Sequence, residues 1–140
     1  MGIDITFKSN VSEVMKKIDS TARGRMLEAV MEVRNKTLET LSGPRKADPD
    51  RIYKVPGTQR LYQASSPGEA PASATGALRQ SVKGTVEKEG KQVVGMVGTD
   101  LDYGRMLEFG TKHMEARPWL RKSFEKSESK VKEIFMRLWF

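Results

Sequence analysis

Tyr103-Gly104-Arg105-Met106-Leu107-Glu108-Phe109-Gly110-Thr111-Lys112, followed closely by Ala116-Arg117-Pro118-Trp119-Leu120, is the stretch that decides how this chain is read. Tyr103, Met106, Leu107 and Phe109 make the apolar face of a brief helix. Gly110 is placed to end it in a left-handed cap, because glycine has no Cβ to resist positive φ. A tight connection follows, and Pro118 stands where a helix start tolerates proline. Leu120, Phe124, Ser127, Val131, Ile134, Phe135 and Leu138 then recur at helical spacing. The expectation is a structural hub over residues 103–120. Tyr103, Leu107, Phe109, Trp119 and Leu120 turn inward in it, and Glu108, Gly110, Arg117 and Pro118 shape the joint. Nothing in the stretch has the composition of an active site.

Upstream of the hub, residues 81–87 and 92–98 read as two strands joined at Glu89-Gly90. Before them, Thr75 is positioned to cap a short turn that carries Ala77 and Leu78. From Pro44 to Ala74 the periodicity vanishes, and five of the six prolines lie there. A segment of that length without periodicity is either functional or disordered. It is expected to be one extended, mobile arm of a single domain spanning 1–140, since neither flank is large enough for a good core of its own. Before the arm, Val11, Val14, Met15, Ile18, Ala22, Met26, Ala29, Val30, Val33, Thr37 and Leu41 follow at spacings of three and four. They predict a long amphipathic helix ending at Gly43-Pro44, or two helices broken at Asp19-Ser20-Thr21 or Gly24. Ile3-Asp4-Ile5-Thr6-Phe7 alternates like a half-buried strand. The order of elements implies an α+β fold, with long helices packed on one face of a small antiparallel sheet and a long proline-rich loop.

Composition narrows the chemistry. The chain has 140 residues, 37% hydrophobic and 31% charged, and no cysteine, which removes disulfides, thiolate metal sites and cysteine nucleophiles. His113 is the single histidine, and no Gly-x-Ser-x-Gly elbow accompanies it. Asp100, Asp102 and Glu108 lack the spacing of a calcium loop and read better as helix-capping carboxylates. Gly84 through Lys91 has the wrong length for a phosphate loop, and Gln92 stands where Ser or Thr is required. Asn35-Lys36-Thr37 fits a glycosylation pattern but falls inside a predicted helix. No catalytic residue, metal or cofactor is expected. No secretory signal or membrane span is expected either, although Met1-Gly2 with Thr6 fits a short myristoylation pattern. The net charge of +7 is compatible with a polyanion, but the cations are interleaved with acids and form no run of five.

Several short motifs occur in a fixed order: Ser66-Pro67-Gly68-Glu69-Ala70-Pro71, Thr75-Gly76-Ala77-Leu78-Arg79, the hairpin, Tyr-x-x-x-Leu-Glu-Phe-Gly-Thr from Tyr103, and Arg117-Pro118-Trp119-Leu120. Together they resemble the head–tail neck or tail-completion proteins of long-tailed double-stranded DNA phages and prophages. Met114-Glu115 stands near the place where members often carry a proline. The resemblance implies a small α+β subunit, a ring of several copies between head and tail, and no catalytic residues. Its implied partners are further copies of itself, head-side connector proteins and tail proteins, with packaged DNA passing through the channel. Its implied location is the virion neck or tail, reached through the host cytoplasm. Candidate contacts with neighbours are Arg45, Arg51, Tyr53, Arg60 and Tyr62 on the arm and Trp139 and Phe140 at the end, because aromatics and arginine are enriched at interface centres. The alternative from a different class is a basic nucleic-acid-binding module using Arg45, Lys46, Arg51, Lys54 and Arg60.

Overall fold

The first helix, α1 (Val11–Ser42), runs unbroken for 32 residues, about 48 Å at 1.5 Å per residue. This is a computed structural model, and it describes residues 2–4 and 9–137. The weak points at Asp19-Ser20-Thr21 and Gly24 do not break α1, because both neighbourhoods are held from outside. Lys88 pairs with Asp19, and Arg25 Nη1 donates to the Ile134 carbonyl at 2.5 Å. A glycine in a helix interior costs only about 1 kcal/mol, which such anchors offset. The helix stops at Gly43, whose N–H returns to the Glu39 carbonyl at 3.0 Å, just ahead of Pro44.

Residues 44–74, expected as one extended, mobile arm, carry short regular elements of their own. These are a 3₁₀ turn (Pro49–Arg51) and an antiparallel hairpin, β1 (Ile52–Lys54) with β2 (Leu61–Gln63). Asp48 caps the turn by accepting from Asp50 N–H, and Tyr53 faces Tyr62 across the strands. Strands of three residues are too short for alternation to show above the surrounding Pro and Gly.

Next come a short helix α2 (Ala77–Ser81) and the main hairpin, β3 (Lys83–Glu89) with β4 (Gln92–Gly98), closed by a two-residue turn at Gly90-Lys91. The α1 helix lies across this hairpin at close range. A Cβ added to Gly95 would sit 2.6 Å from Met26 Sδ and from Val30 Cγ2, so the approach is possible only over glycine. After β4 come α3 (Asp102–Phe109) and α4 (Leu120–Met136). The α4 helix runs antiparallel to α1: Ser123 Oγ lies 3.0 Å from Thr40 Oγ1 near one end, and Arg137 pairs with Glu28 at 2.8 Å near the other. Small hydroxyl residues line the seam. Thr37, Ser123 and Ser127 are buried, and each donates to a carbonyl of its own helix, so none is left unpaired.

The fold is α+β, with the long helix packed on a small antiparallel hairpin. The innermost cluster is Leu41, Leu78, Val82 and Trp119, flanked by Leu38, Val97, Leu107 and Leu120. Of the expected strand at 3–7, Ile3 and Asp4 carry no regular structure, and Ile5, Thr6 and Phe7 lie outside the described residues.

Candidate functional site

The joint between α3 and α4 is built by one carboxylate and one indole. The first amides of a helix have no partner within it. At the start of α4, the Glu108 carboxylate supplies one from the neighbouring helix. Its Oε2 accepts from Trp119 N–H at 2.7 Å and from Leu120 N–H at 2.9 Å, and its Oε1 accepts from Arg121 N–H at 3.0 Å. Negative charge at a helix N-terminus is also favoured by the helix dipole. Trp119 is 2% exposed, and its indole N–H donates to the Gly104 carbonyl at 2.9 Å, one turn ahead of Glu108 on the same face of α3. Helix α4 opens at Leu120 with Trp119 as its cap, so Pro118 stands just outside it rather than in its first turn.

Gly110 has φ 75 and ψ 175, a region open essentially to glycine alone. The positive φ was expected, whereas the extended ψ is not that of a left-handed helical cap. A Cβ there would lie 2.9 Å from both Ala116 N and the Met114 oxygen. The backbone therefore folds back on itself at this point, and Arg117 N–H reaches the Leu107 carbonyl at 2.7 Å. The Arg117 side chain is half-buried, and its Nε is buried without a hydrogen-bond partner.

Leu107 and Leu120 pack against the core cluster. Tyr103 is more exposed than expected and lines a cleft of about 290 Å³ with Leu41, Leu78 and Leu107. Phe109 is a clear correction, since it is 77% exposed. At 3.6 residues per turn it lies about 200° around α3 from Leu107, so the face that packs on Trp119 excludes it.

The upstream motifs converge on the same joint. Ser66-Pro67-Gly68-Glu69 forms a turn in which Glu69 N–H returns to the Ser66 carbonyl at 3.0 Å, with Pro and Gly in the places a type II turn asks for. Gly68 N–H then donates to the Ala116 carbonyl at 3.0 Å, and Lys122 reaches the Gly68 carbonyl. The Glu69 carboxylate accepts from Ser66 N–H at 2.8 Å and Lys46 N–H at 2.6 Å. The Ser66 amide bond, more than any other contact, holds its pKa below the ordinary value of 4.5. Sequence reasoning did not single out Glu69 as a site residue, although the Ser-Pro-Gly-x pattern marks the turn that positions it.

The arm cations are largely occupied. Arg45 donates to the carbonyls of Thr40 at 2.9 Å, Gly43 at 2.6 Å and Pro71 at 2.5 Å, tying the arm to the end of α1. Burial lowers its pKa, and Glu69 counters this. Arg51 pairs with Asp48 at 3.4 Å, and Arg60 donates to the Ala74 carbonyl at 2.5 Å. Tyr53 and Tyr62 meet each other, with ring centroids 6.3 Å apart. Trp139 and Phe140 lie outside the described residues.

With this joint in place, comparison with known families is decisive. The model of the HK97-gp10-like family, described as "Bacteriophage HK97-gp10, putative tail-component", matches residues 5–110, about three quarters of the chain. The chain belongs to this family. The match spans α1, the arm, the hairpin and α3, and it ends at the glycine that closes α3. Membership makes the chain a phage structural protein of the tail. No curated protein and no solved structure matches significantly. Among the described residues, no helix is long and apolar enough to cross a membrane, and no group of three or more His, Asp or Glu side chains is placed to hold a metal ion.

Proposed function

We propose that this member of the HK97-gp10-like family is a non-catalytic subunit of the head–tail connector or tail-completion region, and that its copies form a closed ring joining head to tail. In this reading the chain is one domain. Residues 103–120 are its rigid hub, and residues 44–74 are an arm that orders fully only against a neighbouring subunit. Further copies, head-side connector proteins and tail proteins are its partners, and packaged DNA passes through the channel. The observation that carries the reading is the unequal coverage of α1. Its second half is built into the core, while its first half presents an apolar stripe to solvent. A long helix of that kind is made for contact between subunits.

A nucleic-acid reader draws little support from this geometry, because Arg45, Arg51 and Arg60 spend their donors on the chain's own carbonyls and on Asp48. The ring is tested by measuring mass across protein concentration, alone and with isolated tails. Its role is tested by completing particles from heads and tails that lack the chain. The arm has its own test. Arg51 and Ala64 are joined by a backbone hydrogen bond of 2.8 Å, so residues 52–63 can be replaced by Gly-Gly without stretching the chain. The shortened protein is expected to fold with near-normal stability and to fail in particle completion. Normal completion would show that the arm does not act between subunits.

A further inference from the structure

The β1–β2 ribbon stands apart from the rest of the subunit. Its strands bond to each other, and among the described residues no other helix or strand packs closely on them. A two-stranded ribbon is marginal in water by itself. Side chains therefore hold this one. The Gln63 amide accepts from Asp48 N–H at 3.1 Å and donates to the carbonyls of Asp48 at 3.0 Å and Arg51 at 3.2 Å. Arg60 ties the other end to the Ala74 carbonyl at 2.5 Å. The ribbon is fixed in shape, yet Ile52, Tyr53 and Leu61 are 49%, 51% and 61% exposed. A pre-shaped surface with open apolar side chains loses little freedom when a partner covers it.

Charge decides the kind of partner. From Arg51 to Gln63 the chain carries three cations and no carboxylate. Arg51 is balanced by Asp48. Lys54 is exposed and forms no ion pair among the described residues. Arg60 donates to a carbonyl, which accepts a hydrogen bond without cancelling the charge. The ribbon thus interleaves apolar side chains with uncompensated positive charge. Duplex DNA answers the charge with phosphates and leaves Ile52 and Leu61 without apolar cover. A second copy is a poor match in charge. The chain carries +7, and of its 18 carboxylates eight are paired with cations of the same chain, while Glu69 and Glu108 are held by backbone amides. We infer that the ribbon docks on a different protein, whose surface at that place joins apolar side chains to unpaired carboxylates. This rests on the reading of the arm as a contact between subunits. It gives the receiving side to an acidic connector or tail protein and not to a neighbouring copy.

Polymers of known chemistry test this. Binding of the full chain is measured to fluorescent poly-glutamate, to a glutamate–tyrosine copolymer of the same charge and to duplex DNA. The copolymer is expected to bind about tenfold more tightly than poly-glutamate or DNA, the worth of one well-covered apolar side chain. Lys54→Glu should weaken copolymer binding by about tenfold, because it sets like charges against each other. Leu61→Ser should erase the preference for the copolymer over poly-glutamate. Lys91→Glu makes the same charge change at the β3–β4 turn and should cost far less. The wild-type chain should also bind isolated heads or tails, and Lys54→Glu should lose that binding while its self-associated mass stays the same. Equal losses from Lys54→Glu and Lys91→Glu would mean diffuse charge and overturn the proposal. Tighter binding of DNA than of the copolymer, lost in Lys54→Glu, would give the ribbon to DNA and overturn it. A fall in self-associated mass in Lys54→Glu would give the ribbon to a neighbouring copy and overturn it as well. A chain that is monomeric at every concentration, yet binds heads or tails through Lys54, would overturn the ring and leave this proposal standing.

Discussion

The two halves of α1 are written in one alphabet and meet opposite fates. Val11, Val14 and Ile18 repeat the spacing of Val30, Val33 and Thr37, yet the first group stays open to solvent and the second is buried. Periodicity specifies which face of a helix is apolar; it does not specify what covers that face. In the second half the cover is local: α4 and the β3–β4 hairpin close over it, locked by the joint at Glu108 and Trp119. In the first half no comparable cover lies among the described residues. One half is therefore a matter of folding and the other of assembly. The contrast can be broken by substitutions whose costs should fall steeply from hub to overhang.

The largest effect is expected at Trp119. Trp119→Ala removes the centre of the core cluster and the bond to the Gly104 carbonyl, and should cost about 3–5 kcal/mol in chemical denaturation. A loss below about 1 kcal/mol would mean that the joint is not where stability resides. Gly110→Val comes next, at roughly 3 kcal/mol, because it adds a β-branched side chain in a glycine-only conformation against backbone atoms at 2.9 Å. Gly57 supplies the control. It has a similar φ of 76 but open space around it, so Gly57→Ala on the arm should cost only about 1 kcal/mol. Equal losses at the two glycines would show that backbone strain alone, and not the crowded fold-back, governs the hub.

Glu108 separates capping from packing. Glu108→Ala leaves three amides at the start of α4 without their acceptor and should cost about 1–2 kcal/mol. Glu108→Gln keeps an acceptor oxygen and should recover about half of that. If the two variants melt together, the carboxylate is not acting as a cap.

Much of this joint was visible in the sequence, and the reason is local chemistry. Gly110, the helix after Pro118, the hairpin turn beside Gly90 and the inward Trp119 each follow from a residue's own conformational or burial preference. Other features needed the third dimension. Phe109 reads as core by apolarity, but α3 has one packed face, and the cap role of its neighbour Glu108 turned that face away from the ring. The β1–β2 hairpin has strands too short to alternate visibly. The grip of Arg45 on Pro71 and of Glu69 on Lys46 joins residues more than twenty positions apart, which no spacing rule reaches. Whether the hub, the arm and the candidate contacts work in a ring depends on surfaces of other copies, and those leave no periodic trace in one chain.

The arm's attachment should be pH-sensitive in a defined direction. The pKa of Glu69 is lowered in the folded chain, chiefly by the Ser66 amide, so its contribution to stability is present above the ordinary value of 4.5 and is lost as pH falls through the folded pKa. Melting temperature should therefore drop between pH 5 and pH 3, and Glu69→Gln should flatten that slope by lowering the melting temperature at pH 7 while leaving it nearly unchanged at pH 3. A variant with an unchanged slope would assign the acid response to other carboxylates.

The smallest effect is the sharpest test of the comparison. Val14→Ser and Val33→Ser make the same chemical change on one helix. Val33 is buried, so its replacement loses apolar burial, leaves a small cavity and places a hydroxyl there, at about 2 kcal/mol or more. Val14 is exposed, and its replacement should stay within about 0.5 kcal/mol for the isolated subunit. Measured under conditions of self-association, the order should change, because Val14→Ser then removes apolar surface from the contact between copies. Its penalty should appear as a melting temperature that no longer rises with protein concentration. If Val14→Ser instead destabilises the dilute subunit as much as Val33→Ser does, the stripe is already covered within its own chain, and the division of α1 into a folding half and an assembly half fails.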